Sequence, residues 1–260
     1  METWRRNQVA VTAGSFVGFT GFTMVMPFLA SYIQGMGVTD VGEVALWTGL
    51  TLGVTPAVSA MCAPLWGRVA DRFGNKILLQ RSLASCVLVM GLMAYAAQPW
   101  HLFTLRAMLG LVGGYGPLTV SMAAMSAPAE HMARAIGAVQ TAQRIGPAIG
   151  PAIGGLLAAA VGLRDAFLVS AAVYAAAFLM VTIMYTEPSR AARKPGANGR
   201  VSFGTVLAFE NFVVLMVVIF GLQVVDRSLG PVLQLHVTEL GYSLRDSTVV
   251  VGVLFSVLAV

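Results

Sequence analysis

The stretch "GRVADRFGNK", residues Gly67 to Lys76, carries three basic residues and one acid between two apolar segments. Residues 57–66 hold no charge, and residues 77–97 hold only Arg81. A helix needs about 20 apolar residues to cross the roughly 30 Å hydrocarbon core of a bilayer. The stretch is therefore interpreted as a polar loop between two membrane-spanning helices.

The composition of the whole chain supports a membrane environment. Of 260 residues, 57% are hydrophobic and only 10% are charged, with a mean hydropathy of +0.80. Soluble domains carry about 25% charged residues, so the chain is predicted to be integral to a lipid bilayer. The net charge of +5 sits in short gaps between apolar segments, which is typical of membrane loops and does not favour a nucleic-acid partner.

The apolar pattern predicts seven membrane spans and the start of an eighth near Thr248. The predicted spans are residues 9–33, 44–65, 77–97, 102–122, 135–161, 166–185 and 212–237. Several contain proline or glycine, which membrane helices tolerate because neighbouring helices satisfy the freed backbone groups.

Lysine and arginine predict the orientation of these spans. They concentrate in alternate loops, at residues 5–6, 68–81, 134 and 190–200, whereas the opposite loops hold few basic residues. Because cytoplasmic loops of membrane proteins are enriched in Lys and Arg, the N-terminus and the 67–76 loop are predicted to be cytoplasmic.

A basic segment and an internal repeat predict the domain organisation. Residues 187–202 are rich in Arg, Pro, Gly and Ala. "GPVLQLHVTELGYS", residues 230–243, aligns without gaps with "MPFLASYIQGMGVT", residues 26–39. The spacing predicts a six-helix bundle at 1–186, a cytoplasmic linker at 187–205 and the start of a second, parallel bundle at 206–260. The chain is accordingly expected to be truncated within that second bundle.

Three motifs in register resemble the major facilitator superfamily. The 67–76 loop is similar to the family signature G-x-L-A-D-R-x-G-R-K, with Val69 in place of Leu and Asn75 in place of Arg. "LRAMLGLVGG", residues 105–114, resembles the R-x-x-x-G motif of span four. "GPAIGG", residues 150–155, resembles the G-P-x-x-G-G motif of span five in the drug:proton antiporter branch.

The resemblance implies an all-α membrane protein with the major facilitator fold. It implies a multi-pass protein of the cell inner membrane, monomeric at full length, that exports lipophilic drugs in exchange for protons by alternating access. No cofactor or metal is expected. Two alternatives remain open: a metabolite or sugar facilitator of the same fold, or a truncated fragment that does not transport. An enzyme is disfavoured, since the sequence holds no HExxH, GxSxG or metal-ligand cluster.

The resemblance also implies that the 67–76 loop is a conformational latch. Its residues are Gly67, Asp71, Arg72, Gly74 and Lys76. Both glycines are expected to permit tight turns. Asp71 is expected to accept hydrogen bonds from an arginine or to face a helix N-terminus, where the dipole favours an anion. The alternative is a loop that only sets topology.

Three charges inside predicted spans are candidates for proton coupling: Arg106, Arg144 and Asp226. A charge near the bilayer centre costs at least about 2.5 kcal/mol, so it implies a function or a partner. Arg106 fills the family motif, although its side chain could instead snorkel to the membrane surface. Arg144, near mid-span, could instead belong to a structural ion pair.

Asp226 is the leading candidate for the titrating group. At mid-span, desolvation and a neighbouring cation would act on its carboxyl in opposite directions, which suits a proton carrier. The alternative is a permanent salt bridge. Span one holds no acid, although many drug antiporters place one there.

Two further residue sets complete the sequence-based expectations. Small and helix-bending residues in span five predict close helix packing, and the family resemblance implies a seal against the second bundle. These residues are Gly146, Pro147, Gly150, Pro151, Gly154 and Gly155. A substrate cavity is predicted from adaptable and aromatic side chains, with lipid-facing or core packing as the alternative. Its candidates are Phe22, Met26, Tyr32, Met122 and Gln140.

Overall fold

The computed structural model describes residues 3–187, 211–239 and 250 of the chain. Within these ranges the side chains of Asp71, of Gln223 and of residues 226–235, 238 and 239 are not included. The described residues form helices and connecting turns, with no strand among them. The predicted eighth span and most of the predicted linker lie outside the described residues.

Nine α-helices occur in the described residues. They are α1 (Thr3–Met24), α2 (Leu29–Gly35), α3 (Val41–Phe73), α4 (Asn75–Met93), α5 (Pro99–Val112), α6 (Tyr115–Ser126), α7 (Met132–Val161), α8 (Leu163–Met184) and α9 (Phe212–Glu239). One turn of 3-10 helix, Ala129–His131, precedes α7.

The helices confirm the predicted spans of the first bundle. In the described residues, five segments are long and apolar enough to cross a membrane, and the bent pair α1–α2 makes up to six. The predicted seventh span coincides with α9, in which Phe212–Leu222 forms an apolar helix. The all-α membrane architecture expected from composition is thus confirmed.

Two spans that the sequence predicted as continuous are broken. The first bends by 44° between α1 and α2, where Pro27 lacks the N–H that a continuing helix requires. The fourth is interrupted at Gly113 and Gly114, and Gly114 takes a left-handed φ of 98°. Only glycine adopts that backbone conformation readily. The two adjacent glycines therefore indicate a break, although the hydropathy pattern predicted one continuous span.

Side chains from two other helices cap the break in span four. The Trp66 indole Nε1 donates to the Leu111 carbonyl at 2.7 Å, and Arg81 Nη2 donates to the Val112 carbonyl at 2.8 Å. The Arg81 guanidinium also lies over the Trp66 ring, 3.4 Å from its centroid. The last carbonyls of α5, which have no intrahelical donor, are therefore satisfied, and the break is a stable feature.

The 67–76 stretch is mostly helical, which corrects the predicted loop. Helix α3 continues to Phe73, α4 begins at Asn75, and Gly74 alone separates them. Gly74 has φ 93° and ψ 158°, which confirms the predicted turn there. The turn predicted at Gly67 is wrong, because Gly67 lies inside α3 and a Cβ there would have no neighbour within 4 Å.

The glycine-rich face of α7 packs on α1 within the same bundle. A Cβ on Gly146 would lie 3.0 Å from the Phe16 carbonyl oxygen, and one on Gly154 would overlap the Met24 carbonyl. Gly150 faces Thr20 and Thr23 in the same way. These glycines therefore serve close packing with α1, so a seal against the second bundle is not their contact here. Helix α7 continues through both Pro147 and Pro151.

The apolar core lies between α1, α2, α4, α5, α6, α7 and α8. At one end of the bundle, Phe167 contacts the rings of Phe28 and Tyr32, with centroids 5.3 and 4.9 Å away. By contrast, α3 exposes large apolar side chains such as Leu46 (60%) and Met61 (82%). Such a face can contact lipid, because a helix makes its backbone hydrogen bonds internally and leaves no polar backbone group unsatisfied.

Because α7 packs closely on α1, Gly→Ala substitutions at two positions of α7 are expected to have opposite effects on stability. Gly154→Ala is expected to lower the free energy of unfolding by about 1–3 kcal/mol through overpacking. Gly137→Ala, in the same helix but in open space, is expected to be neutral or to stabilise by up to about 1 kcal/mol. Thermal midpoints in detergent measure both; equal midpoints for the two variants would contradict the packing.

The turn at Gly74 allows a second matched comparison. Gly162 has nearly the same backbone, φ 95° and ψ 162°, but no neighbour within 4 Å of a Cβ, whereas a Cβ on Gly74 would lie 2.6 Å from Glu187 Oε1. Alanine at either position costs about 1–3 kcal/mol for the backbone alone. We expect Gly74→Ala to lower the thermal midpoint further than Gly162→Ala, because Glu187 must also move. A larger loss at Gly162 would show that the Glu187 contact is unimportant.

Candidate functional site

Arg106 lies in the interior of the bundle, on α5. Its side chain is 1% exposed, so it does not snorkel to the membrane surface. Its guanidinium lies 5.3 Å from the centre of the Phe22 ring of α1 and within electrostatic range of Cys86 on α4 and Tyr174 on α8. Side chains from several helices therefore enclose one cation.

The charge of Arg106 has no compensating acid in the described residues. Its Nε and Nη2 atoms are buried without a hydrogen-bond partner. The carboxylates whose side chains are described lie at helix ends or in turns: Asp40, Glu43, Glu130, Asp165 and Glu187. A cation–π contact contributes about 2 kcal/mol when desolvated, which at best matches the cost of the charge. Arg106 is thus poised to interact with an anion.

Gly110 explains why the sequence places a glycine four residues after Arg106. A Cβ on Gly110 would lie 2.6 Å from the Thr55 carbonyl oxygen and 2.9 Å from the Val58 Cβ of α3. The missing side chain lets α5 approach α3 closely. With the two helices this close, the Thr55 hydroxyl donates a hydrogen bond to the Arg106 carbonyl at 2.9 Å. The glycine of the R-x-x-x-G motif therefore holds α5, the helix that carries Arg106, against α3.

Two tyrosines complete what we term the Arg106 cluster: Phe22, Cys86, Arg106, Tyr115 and Tyr174. The rings of Tyr115 and Tyr174 meet edge to face, 6.5 Å apart. Tyr174 is fully buried, and its hydroxyl interacts with the side chains of Tyr115 and Cys86 without a hydrogen bond of 3.5 Å or less. Sequence reasoning missed both tyrosines and Cys86 as site residues, because apolar spans give no periodic signal that separates core from site.

Arg144 lies in a different environment from Arg106. It is exposed on α7, one turn after Gln140, which is exposed on the same face. The intervening Gln143 instead donates to the Gly116 carbonyl at 3.0 Å and to Thr119 Oγ1 at 2.9 Å. Since a charge facing lipid is costly, the Gln140–Arg144 face is expected to meet water or protein.

The structure does not bring the three coupling candidates together. Arg106 is buried, Arg144 is exposed, and Asp226 lies in α9 with its side chain outside the described part. The pairing of Asp226 with either arginine remains a prediction.

The five predicted cavity residues do not line one surface. Met122 is 0% exposed and packs in the core. The Tyr32 hydroxyl donates to the Met93 carbonyl at 3.0 Å, which anchors its ring at the α2–α4 contact. Phe22 and Met26 are half-buried near the bend of span one, and Gln140 is exposed. Of this set, Phe22 alone joins the Arg106 cluster.

The predicted latch residues bind the end of α8. Lys76 Nζ donates to the Tyr185 carbonyl at 2.6 Å and to the Thr182 carbonyl at 3.3 Å. A cation at this position complements the negative end of the helix dipole. Arg72 Cζ lies 5.5 Å from the centre of the Phe73 ring. Because the Asp71 side chain is not described, its expected partner is untested.

Asn75, which replaces the family arginine, is buried and makes two links. Its backbone N–H donates to Glu187 Oε1 at 3.0 Å, and its Nδ2 donates to Ser121 Oγ at 2.9 Å. Glu187, which sequence reasoning did not select, thereby accepts from the first residue of α4. An acid at a helix N-terminus is favoured by the dipole.

The start of α1 joins the same end of the bundle. Asn7 exchanges two hydrogen bonds with the backbone of Thr186, at 2.7 and 2.9 Å. Ser126 donates to the Tyr185 hydroxyl at 3.1 Å. Burial raises the pKa of Tyr185, and the Glu187 charge adds to the rise, so this phenol stays neutral at pH 7 and can donate. We term this network the polar cluster: Arg6, Asn7, Asn75, Lys76, Ser126, Tyr185, Thr186 and Glu187.

Curated relatives of the chain carry a drug-resistance name. Multidrug resistance protein MdtG of Yersinia enterocolitica is 36% identical over 255 residues, covering 98% of this chain and 62% of the relative. The protein of that name from Proteus mirabilis is 33% identical over 257 residues, covering 98% and 64%. The one from Escherichia coli O6:K15:H31 is 34% identical over 255 residues, covering 98% and 62%. The chain thus spans 62% to 64% of the length of these relatives.

The family comparison covers nearly the whole sequence. Residues 7–260 match the family model described as Major Facilitator Superfamily. Together with its apolar helices, this makes the protein a multi-pass membrane protein. The chain belongs to the major facilitator superfamily.

Proposed function

We propose that this protein is a secondary transporter that exports small lipophilic molecules across the cell inner membrane in exchange for protons. The observation that carries the proposal is the buried, uncompensated charge of Arg106 inside an apolar bundle. A buried ionisable group in a membrane marks a functional site by default. The family membership and the multidrug-resistance names of the relatives support the same conclusion.

Alternating access requires that the first bundle move as a unit. Backbone-to-backbone packing of α1 on α7 and the polar cluster tie five helices together, and Trp66 and Arg81 tie α3 and α4 to the end of α5. Interlocked helices of this kind resist internal rearrangement. We therefore assign the motion to rocking of this bundle against the second one.

Helix α9 supplies the start of the second bundle. It contacts α3 and α2, which places the predicted seventh span beside the first and second spans. We propose that residues 1–186 form the first bundle, residues 187–205 the linker and residues 206–260 the start of the second. We assign Asp71 and Arg72, in the last turn of α3 before Gly74, to the latch.

Proton coupling is assigned to Asp226 together with Arg106 and Arg144. In one conformation the carboxylate pairs with Arg144, and in the other it takes up a proton and becomes neutral. Because a lone charge in the bilayer is costly, protonation favours the conformation in which the pair is separated. Proton entry thereby biases the orientation of the bundles.

The N-terminus is assigned to the cytoplasm. The polar cluster joins the start of α1, the start of α4 and the end of α8 at one end of the bundle. Arg6 and Lys76 lie at that end, and residues 190–200, which follow the described part in sequence, hold four further basic residues. Enrichment of basic residues on one side is typical of the cytoplasmic face. The transporter is proposed to act as a monomer.

Asp226→Asn tests the proposed proton coupling. In membrane vesicles from an efflux-deficient bacterial strain that expresses the complete gene, we expect the wild type to export a fluorescent lipophilic dye when a pH gradient is imposed. Asp226→Asn is expected to abolish that gradient-driven export while dye binding persists, because the amide cannot take up a proton. Asp165→Asn, in the first turn of α8, is the matched control and should retain export. Unchanged gradient dependence in Asp226→Asn would remove that residue from the mechanism.

A further inference from the structure

The interior of the first bundle carries charge of only one sign among its described side chains. The charged side chains that lie more than one turn inside a helix of residues 3–187 are all arginines, and of these Arg106 is buried, Arg81 is half-buried, and Arg68 and Arg144 are exposed. The described acids lie at helix ends or in turns. A lipophilic cation entering this interior would add to an uncompensated positive charge, whereas an anion would neutralise it.

The Arg106 cluster offers hydrogen-bond donors without acceptors to match them. Arg106 Nε and Nη2 are buried and unpartnered among the described residues, and the Tyr174 hydroxyl lies in the same cluster. Ser170, one helical turn before Tyr174 on α8, also has a buried hydroxyl without a partner. Buried polar groups are normally hydrogen-bonded, and unpaired donors beside a guanidinium are the chemistry that binds an oxyanion.

Resting on the transport function proposed above, we propose that the transported molecules are lipophilic organic anions. Their carboxylate or other oxyanion group binds the guanidinium of Arg106, and the Tyr174 hydroxyl provides a further donor. Planar guanidinium groups recognise such groups through two parallel hydrogen bonds. Phe22, whose ring lies beside the guanidinium, contacts the apolar part of the ligand.

Arg106 is sealed in the described conformation, so binding requires a local opening. Both spans that contribute Phe22 and Arg106 are broken, at residues 25–28 and at residues 113–114. Arg144, exposed on α7, provides the positive charge that first attracts the anion. An anion leaving the cell is also driven by an interior-negative membrane potential, in addition to proton exchange.

Pyrenebutyrate and pyrenebutyltrimethylammonium form the decisive probe pair, because they share an apolar part and differ in the head group, a carboxylate in one and a cation in the other. Binding of each to the purified protein in detergent is measured by quenching of tryptophan fluorescence. Partition of the probes into micelles is the same for all variants and therefore cancels. We expect Arg106→Gln to weaken pyrenebutyrate binding at least tenfold and to leave pyrenebutyltrimethylammonium binding unchanged or stronger.

Two controls separate the charge of Arg106 from its structural effects. Arg106→Lys retains the charge and is expected to keep most of the anion affinity. Arg134→Gln removes an exposed charge in the first turn of α7 and is expected to change neither affinity. Should Arg106→Gln fail to fold, Arg144→Gln tests the same preference with a residue that is exposed.

The outcomes distinguish this proposal from the transport function itself. Tighter binding of pyrenebutyltrimethylammonium than of pyrenebutyrate by the wild type, or equal losses for both probes in Arg106→Gln, would overturn the anion preference. Export of cationic dyes by vesicles in that case would leave the transport function intact. Anion binding without export of any probe would instead support the site and refute the transport function.

Discussion

The structure depends on one constraint: a charged side chain in the membrane interior must be compensated. Arg106 is fully buried among Phe22, Cys86 and Tyr174, with two guanidinium nitrogens unpartnered in the described residues. Such a charge lowers stability unless an anion or a water network meets it. The sequence keeps this costly charge inside a closely packed bundle. We therefore regard the Arg106 cluster as a functional site rather than as part of the apolar core.

The rest of the bundle positions that charge. Gly110 brings α5 against α3, and Thr55 then binds the Arg106 backbone. Beyond the cluster, α1 and α7 pack so closely that three glycines have no room for a Cβ, and the polar cluster fixes the end where α8 meets α4. The two helix breaks, at Pro27 and at Gly113–Gly114, interrupt the two spans that contribute Phe22 and Arg106.

Sequence reasoning reached the helical spans, the family and Arg106, because hydropathy and motif spacing depend on local sequence. It could not place Gly67 inside a helix, since a polar stretch reads as a loop until the length of α3 is known. Nor did it find Tyr174 or Glu187, whose partners in the Arg106 cluster and at Asn75 are far away in sequence and come together only through packing. The close packing of the span-five glycines was predicted, but the helix that they face, α1, emerged only from the structure, and the seal against the second bundle stays a prediction.

The stability of Arg106→Met tests the central claim most directly, since methionine replaces the charge by an apolar side chain of similar length. If the charge is uncompensated, the thermal midpoint of the purified protein in detergent should rise, because the cost of burying a lone cation disappears. If an acid pairs with Arg106, removing the partner would strand that acid and lower stability by about 3–5 kcal/mol. A fall in the midpoint would therefore contradict the account, and a rise would support it.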